Sequence, residues 1–106
     1  MSNRINVWVK EPGKDPKNIR IDNTLEGLQA AVNGYIETVT IADDVVVICN
    51  EEGRIRNMPY NCELCGIDFV GPIVIAGFQK DEFVDCPWNL DEMNEQLPQL
   101  WDVISA

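Results

Sequence analysis

The sequence predicts an α+β domain: a mainly antiparallel sheet of about five strands, one helix packed on a face of the sheet, and a short C-terminal helix. Short links between apolar strands support this prediction. Asp43-Asp44 is predicted to join strand 35–42 to strand 45–50 as a hairpin, and Glu51-Glu52-Gly53, with positive φ at Gly53, to lead into another strand at 54–57. Links this short force neighbouring strands to run antiparallel.

The first third of the chain is predicted to form a hairpin. Ile5, Val7 and Val9 alternate with polar residues and with Trp8, which is the period of a half-buried strand. Pro12-Gly13 marks a turn, and the returning strand follows at 17–22. Trp8 is expected to pack beneath a neighbouring loop or helix, or else to contact a partner.

A short helix follows this hairpin. Asn23 or Thr24 can cap it, and Gly34 is placed to end it. Its apolar residues fall at helical spacing: Leu25, Leu28, Ala31 and Val32. Because about ten residues are too few for an independent helix, the segment is expected to lie across the sheet.

The middle of the chain predicts the core of the sheet. Residues 45–48 are apolar without alternation, which is typical of a central strand covered on both faces. Residues 59–66 are predicted to be a loop, 72–78 another apolar strand and 82–84 a short edge piece, before a helix at 90–96 capped by Asn89. Four residues are expected to be nearly fully buried: Val46, Ile48, Val74 and Leu28.

Size and composition predict a single globular domain over residues 1–106. A chain of 106 residues with 45% hydrophobic and 25% charged residues can bury one modest core. No apolar run approaches the roughly 20 residues that span a bilayer, and residues 1–6 lack the apolar core of a signal peptide. The expected location is therefore the cytoplasm, where cysteines are kept reduced.

The net charge of −10 is distributed unevenly. Residues 1–20 carry +3, whereas residues 21–79 carry −7 and residues 80–106 carry −6. Such a surface repels phosphate backbones, so direct nucleic-acid binding is not expected. It favours encounter with a basic protein, including one that itself binds nucleic acid, although acidity can also serve solubility alone.

Several segments follow in order along the first 80 residues: 9–14, 21–29, 34–37 and 49–54, with Pro59 and Asn61. Together they resemble the domain-of-unknown-function family 3846, and the acidic turn Glu51-Glu52 within 49–54 is the most specific of them. The resemblance implies an accessory protein of phages or mobile elements of Gram-positive bacteria, with no biochemical activity attached. The chain departs from the family pattern after Asn61, where residues 62–66 replace a basic, cysteine-free segment, so the resemblance implies no role for those cysteines.

The cysteines leave three interpretations open: zinc ligands, inert or packing thiols, and a redox pair, which the neighbouring Glu63 disfavours because a carboxylate raises the pKa of a thiol. Cys62-x-x-Cys65 has the spacing of a zinc knuckle, and since the chain has no histidine the other ligands would have to be Cys49 and Cys86. Cys49 ends an apolar strand, however, where a free cysteine commonly packs as a small hydrophobe. The sequence therefore predicts reduced thiols on a loop at 62–66, with no cofactor or metal, and keeps a zinc-stabilised domain as an alternative.

No catalytic signature is present. The chain lacks histidine, the commonest general base, and it has no glycine-rich phosphate loop. We therefore expect a non-enzymatic protein that binds a host protein through an acidic surface, including as a mimic of DNA charge, with its oligomeric state open. The alternative is a nucleotide-signal binder whose cleft would contain Asn50, Asn61, Arg54, Arg56 and an aromatic residue. The candidate binding residues are Asp43, Asp44, Asn50, Glu51, Glu52 and Asn61.

Overall fold

The computed structural model describes residues 3–104, with the side chains of residues 3–101. Its main sheet has six antiparallel strands in the order β2-β1-β7-β4-β3, with β8 paired to β7. The strands are β1 (Arg4–Lys10), β2 (Lys17–Asp22), β3 (Ile36–Ala42), β4 (Val45–Asn50), β7 (Ile73–Gln79) and β8 (Glu82–Val84). The predicted α+β class and its antiparallel sheet are confirmed, with one more strand than expected.

Two layers cover the sheet. Helix α1 (Leu25–Val32) packs on one face against a cluster that includes Val46, Ile48 and Val74. The hairpin of β5 (Tyr60–Leu64) and β6 (Ile67–Val70), helix α2 (Leu90–Gln96) and a 3₁₀ helix (Pro98–Ile104) cover the other face. Every residue of β4 is buried, as the unbroken apolar run predicts for a strand covered on both sides, although β7 holds the middle position.

Local sequence signals place the helix boundaries. The Thr24 side chain accepts a hydrogen bond from the Gly27 amide and caps α1. Asn33, at φ 64°, ends α1 in place of the predicted Gly34, because asparagine also tolerates the left-handed conformation. Asn89 and Glu92 form a capping box at the start of α2, so this predicted helix is confirmed at both its cap and its length.

The strand predicted at 54–57 is wrong. Residues 51–57 form successive turns in which the Arg56 amide donates to the Glu52 carbonyl at 2.9 Å, the spacing of a helical turn. The Met58 amide donates to Gly53 and the Asn57 amide to Arg54, and Asn57 has φ 55°, which together make a Schellman ending. Because Asn57 adopts the left-handed conformation shortly after β4 ends, the chain turns at this point and no strand forms at 54–57.

Gly53 does not take the predicted positive φ. Its role is close packing, because a Cβ built on Gly53 would lie 2.8 Å from the Cγ2 atom of Val70. The actual hairpin after β4 is β5–β6, turned by Cys65 and Gly66 at φ 52° and 79°. Two successive positive φ values fit the twist of a tight hairpin. The loop predicted at 59–66 is therefore wrong over Tyr60–Leu64, whereas Cys65 and Gly66 do form a turn, and Cys62 is buried on β5.

Candidate functional site

The two acidic turns lie at opposite ends of β4. Asp43 and Asp44 precede the strand, and Glu51 and Glu52 follow it. Six residues at about 3.3 Å each separate the turns by roughly 20 Å. The structure thus divides the predicted acidic residues between two places rather than gathering them into one patch.

Asn50 is used inside the fold. Its Nδ2 atom donates to the Val32 carbonyl at 2.9 Å and to the Asn33 carbonyl at 3.1 Å, and its Oδ1 atom accepts from the Glu52 amide at 2.7 Å. These bonds tie the end of α1 to the start of the 51–57 turn. The Asn50 side chain therefore has a structural role. Its amide nitrogen and its amide oxygen both make hydrogen bonds within the protein.

Asn61 lies in a buried polar pair with Lys10. The Asn61 Nδ2 atom donates to the carbonyls of Lys10 and Gly71, both at 2.8 Å, and the Lys10 Nζ atom donates to Asn61 Oδ1 at 2.9 Å. Lys10 is only 1% exposed. Burial lowers the pKa of Lys10, while the neighbouring Cys62 and Asp15 act in the opposite direction. This pair fastens β1 to β5 and does not line a cleft with Asn50.

The four cysteines do not form the expected zinc alternative. Cys49 and Cys62 are buried, Cys86 is half-buried and Cys65 is exposed in the hairpin turn. Among the described side chains, those of residues 3–101, no three His, Cys, Asp or Glu are grouped to hold a metal ion. Burial raises the pKa of Cys49 and of Cys62 to about 11, so both thiols keep their protons at neutral pH. A protonated thiol is a poor metal ligand and a poor nucleophile.

A groove of about 290 Å³ opens where the 51–57 turn meets β3, β4 and β6. Its buried wall includes Cys49 and Phe69. Ile55 and Ile67 line the same groove while 83% and 40% exposed. We call this feature the isoleucine groove. An exposed apolar pair over a buried apolar wall is the arrangement that a partner's apolar side chain can complete.

Carboxylates surround the isoleucine groove. Glu37, Glu51 and Asp68 line it and are exposed, and Arg54 is the cation beside them. The Arg54 Nη2 atom donates to the Asp68 carbonyl at 2.8 Å, which fixes the 51–57 turn against β6. Three carboxylates against one guanidinium leave the rim negative.

A family model described as "Domain of unknown function (DUF3846)" matches residues 5–98. The chain belongs to the DUF3846 family. Comparison with curated proteins and comparison with solved structures each gave no match. Within residues 3–104, this DUF3846 protein has no helix both long enough and apolar enough to cross a membrane.

The second acidic turn of the DUF3846 chain lies near α2. Burial raises the pKa of the Cys86 thiol, a hydrogen bond with the Trp88 backbone lowers it, and the carboxylates of Asp44 and Glu92 add to the rise. Asp43 is exposed and the Asp44 carbonyl accepts from the Phe78 amide at 2.9 Å. Like the Glu51-Glu52 turn, this turn therefore presents negative charge at an end of β4, with Asp43 exposed and Asp44 partly exposed.

Sequence reasoning missed the apolar half of the groove. Ile55 lay in a predicted strand and Ile67, Asp68 and Phe69 followed a predicted loop, so none was a candidate. One signal was present: Ile55 stands between Arg54 and Arg56 in a segment with no other apolar residue from Glu51 to Asn57. An isolated isoleucine among charged residues has no core face to join, which favours exposure.

Proposed function

We propose that this DUF3846 protein is a non-enzymatic interaction protein that holds a basic segment of a partner protein in the isoleucine groove. The observation that supports this is the exposure of Ile55 and Ile67 within a carboxylate rim. Apolar burial gives such a contact its affinity, at roughly 25 cal/mol for each Å² removed from water. The rim selects lysine or arginine beside the apolar anchor.

The rest of the molecule favours the same kind of partner. A net charge of −10 accelerates encounter with a basic protein and slows encounter with an anion. Asn50 and Asn61, which a nucleotide-binding cleft would need, have their amides engaged in separate internal hydrogen bonds. The chain has no histidine, and the thiols of Cys49 and Cys62 are held protonated. These features support binding rather than catalysis.

The partner is a host protein that itself grips nucleic acid, in the phage or mobile-element setting that the family resemblance implies. Such proteins present clustered lysine and arginine side chains. The turns Asp43-Asp44 and Glu51-Glu52, about 20 Å apart at the two ends of β4, would then contact separate parts of that basic surface. Phosphates spaced along DNA contact such a surface in the same way. This mimicry uses Asp43 and Asp44 as well as the groove.

Selection from a displayed library of random peptides tests the groove. We expect wild-type protein to enrich peptides that carry a bulky apolar residue flanked by lysine or arginine. Ile67→Asp should abolish their binding, because the aspartate removes the apolar contact. Ile19→Asp is the matched control: Ile19 is also 40% exposed on a strand, the charge change is identical, and β2 is at the opposite edge of the sheet.

Charge variants then separate the groove from general acidity. Binding of an enriched peptide should weaken as salt rises, since exposed charges are screened within about 10 Å at 0.1 M ionic strength. Glu37→Gln with Glu51→Gln should slow association more than it speeds dissociation, whereas Glu11→Gln with Glu82→Gln should change little. Equal loss in Ile67→Asp and Ile19→Asp, or enrichment of peptides without basic residues, would contradict the proposal.

A further inference from the structure

The outer edge of β3 carries free backbone hydrogen-bonding groups. β3 is the last strand of the sheet, and no strand within residues 3–104 pairs with its outer side. The Glu51 amide donates to the Tyr35 carbonyl at 2.8 Å, which makes Tyr35 and Glu51 a bonded pair. Because bonded pairs alternate along an antiparallel ladder, Glu37 and Val39 also direct their backbone groups to β4. Ile36, Thr38 and Thr40 therefore direct theirs outward.

Between Ile36 and Thr40 this edge lacks the usual protection. Free strand edges are commonly blocked by lysine, by proline, by bulges or by a covering segment. The opposite edge strand, β2, carries Lys17 and Arg20, whereas β3 contains neither lysine, arginine nor proline. Its one irregularity is a bulge between Thr40 and Ala42, which leaves the regular run from Ile36 to Thr40 available.

The sequence of β3 allows the β3 strands of two copies of the chain to pair antiparallel. Thr38-Val39-Thr40 reads the same in both directions. With Val39 on a two-fold axis, Thr38 of each copy faces Thr40 of the other, and both carry outward backbone groups, as a bonded pair requires. Glu37 then faces Ile41 of the second copy, so no like charges are opposed, which would otherwise weaken the pairing.

The side chains also fit this register. Val39 and Ile41 are only half-buried and lie against the core on the hairpin side of the sheet. At a non-bonded position the two Val39 residues would approach most closely and would cover each other's exposed methyl groups. Threonine pairs on the opposite face are among the favourable cross-strand pairs.

From these observations we propose that two copies of this chain pair through β3 in the Val39-centred register, forming one continuous antiparallel sheet across a two-fold axis. The second copy adds a strand to the free edge, so backbone hydrogen bonds from Thr38 and Thr40 supply the contact. Each protomer carries a charge of −10, so the two copies repel and the dimer strengthens as salt is raised. The inference does not rest on the proposed groove function, although Glu37 and Val39 of β3 also line the isoleucine groove.

Sedimentation equilibrium in low and high salt tests the pairing. Wild-type protein should approach twice the 12.0 kDa mass of the monomer, and more completely in high salt. Thr38→Lys with Thr40→Lys puts lysine opposite lysine twice and should raise the dissociation constant about tenfold. Thr38→Lys with Thr40→Glu puts lysine opposite glutamate twice and should restore the wild-type constant or better.

The two double variants separate register from net charge. The lysine–lysine variant lowers the negative charge of each copy, so nonspecific repulsion alone would make it the tighter dimer. Thr38→Pro removes an amide that points away from β4 and should abolish dimerisation while thermal melts by circular dichroism keep the wild-type midpoint within a few degrees. A wild-type monomer at all concentrations in high salt would overturn the proposal, as would lysine–lysine and lysine–glutamate variants with equal constants.

Discussion

Asn61 and Lys10 are buried polar residues whose hydrogen bonds join elements of the fold. Asn61 makes all three of its side-chain hydrogen bonds to β1 and to Gly71, and the Lys10 ammonium finds its acceptor in Asn61. A buried cation beside an amide is stabilising only while the amide is present, because an unpaired buried charge is far more unfavourable than a lost hydrogen bond.

Asn61→Ala should therefore lower the free energy of unfolding by about 3–5 kcal/mol, since it leaves the Lys10 ammonium buried without its acceptor. Adding Lys10→Met should recover a large part of that loss, because an apolar side chain needs no acceptor. Urea denaturation of the two single variants and the double variant measures the coupling as a double-mutant cycle. Simple additivity of the two single losses would show that Lys10 and Asn61 act independently.

The buried thiols give stability a pH dependence. The pKa of Cys49 rises from 9.0 to about 11 on folding, so between these values the unfolded thiol has lost its proton and the folded thiol still holds it. The folded state binds more protons there, and the free energy of unfolding falls as pH rises. Each pKa unit is worth about 1.4 kcal/mol, so each such thiol contributes at most about 3 kcal/mol to the fall. The lowered pKa of Lys10 acts in the opposite direction, but it is one group against three thiols whose pKa values burial raises, those of Cys49, Cys62 and Cys86.

Denaturant melts across this alkaline range should show the decline, and Cys49→Ala should make it shallower. Cys65→Ala is the control, because Cys65 is exposed in the hairpin turn. Iodoacetamide at neutral pH should label Cys65 in the folded protein and leave Cys49 and Cys62 unmodified. Rapid labelling of Cys49 under native conditions would show that this part of the core opens more readily than the structure indicates.

At the scale of elements, the 51–57 turn decides where a site can exist. It is anchored at one end by Asn50, at the other by the left-handed Asn57, and sideways by hydrogen bonds from Arg54 to Asp68 and from Arg56 to Asn33. Because both arginines donate to backbone carbonyls, the turn presents Ile55 at a fixed position. The groove is thus built on a segment that hydrogen bonds hold at both ends and from the side.

Asn57→Val should destabilise the protein by about 1–2 kcal/mol, because a β-branched residue is strained at φ 55°. Asn57→Gly, which accepts this conformation without strain, should match or slightly exceed wild-type stability. Binding of groove-selected peptides should weaken in Asn57→Val and survive in Asn57→Gly. Equal stability of the two variants in urea would contradict the Schellman ending.

At the scale of the whole molecule, the two edges of the main sheet differ in charge. The five basic residues within 4–20 lie in the β1–β2 hairpin at one edge, while β3 and the turn after β4 carry Glu37, Glu51 and Glu52 at the other. Both proposed contacts, the isoleucine groove and the β3 edge, lie on this acidic side. Pairing through β3 would therefore place the grooves of two copies beside one another on the same face of an extended sheet.

The sequence by itself determined those elements whose signals are local. Alternation fixed β1 and β2, the apolar run fixed the burial of β4, and capping residues fixed α1 and α2 almost to the residue, because each signal depends on neighbours within a few positions. The family membership also followed from ordered local segments. The expected burial of Val46, Ile48, Val74 and Leu28 is confirmed for the same reason.

Only the tertiary structure decided how the layers meet. Lys10 occupies a polar position in the alternation of β1 yet is buried, because the β5–β6 hairpin, formed far along the chain, covers that face. Residues 59–66 are predicted to be a loop, but a tight turn with two positive φ values makes residues 60–70 a hairpin packed on the core. The groove needs β3, β4, the 51–57 turn and β6 together. Local sequence specifies each of these pieces incompletely, since their arrangement depends on long-range packing that no short pattern encodes.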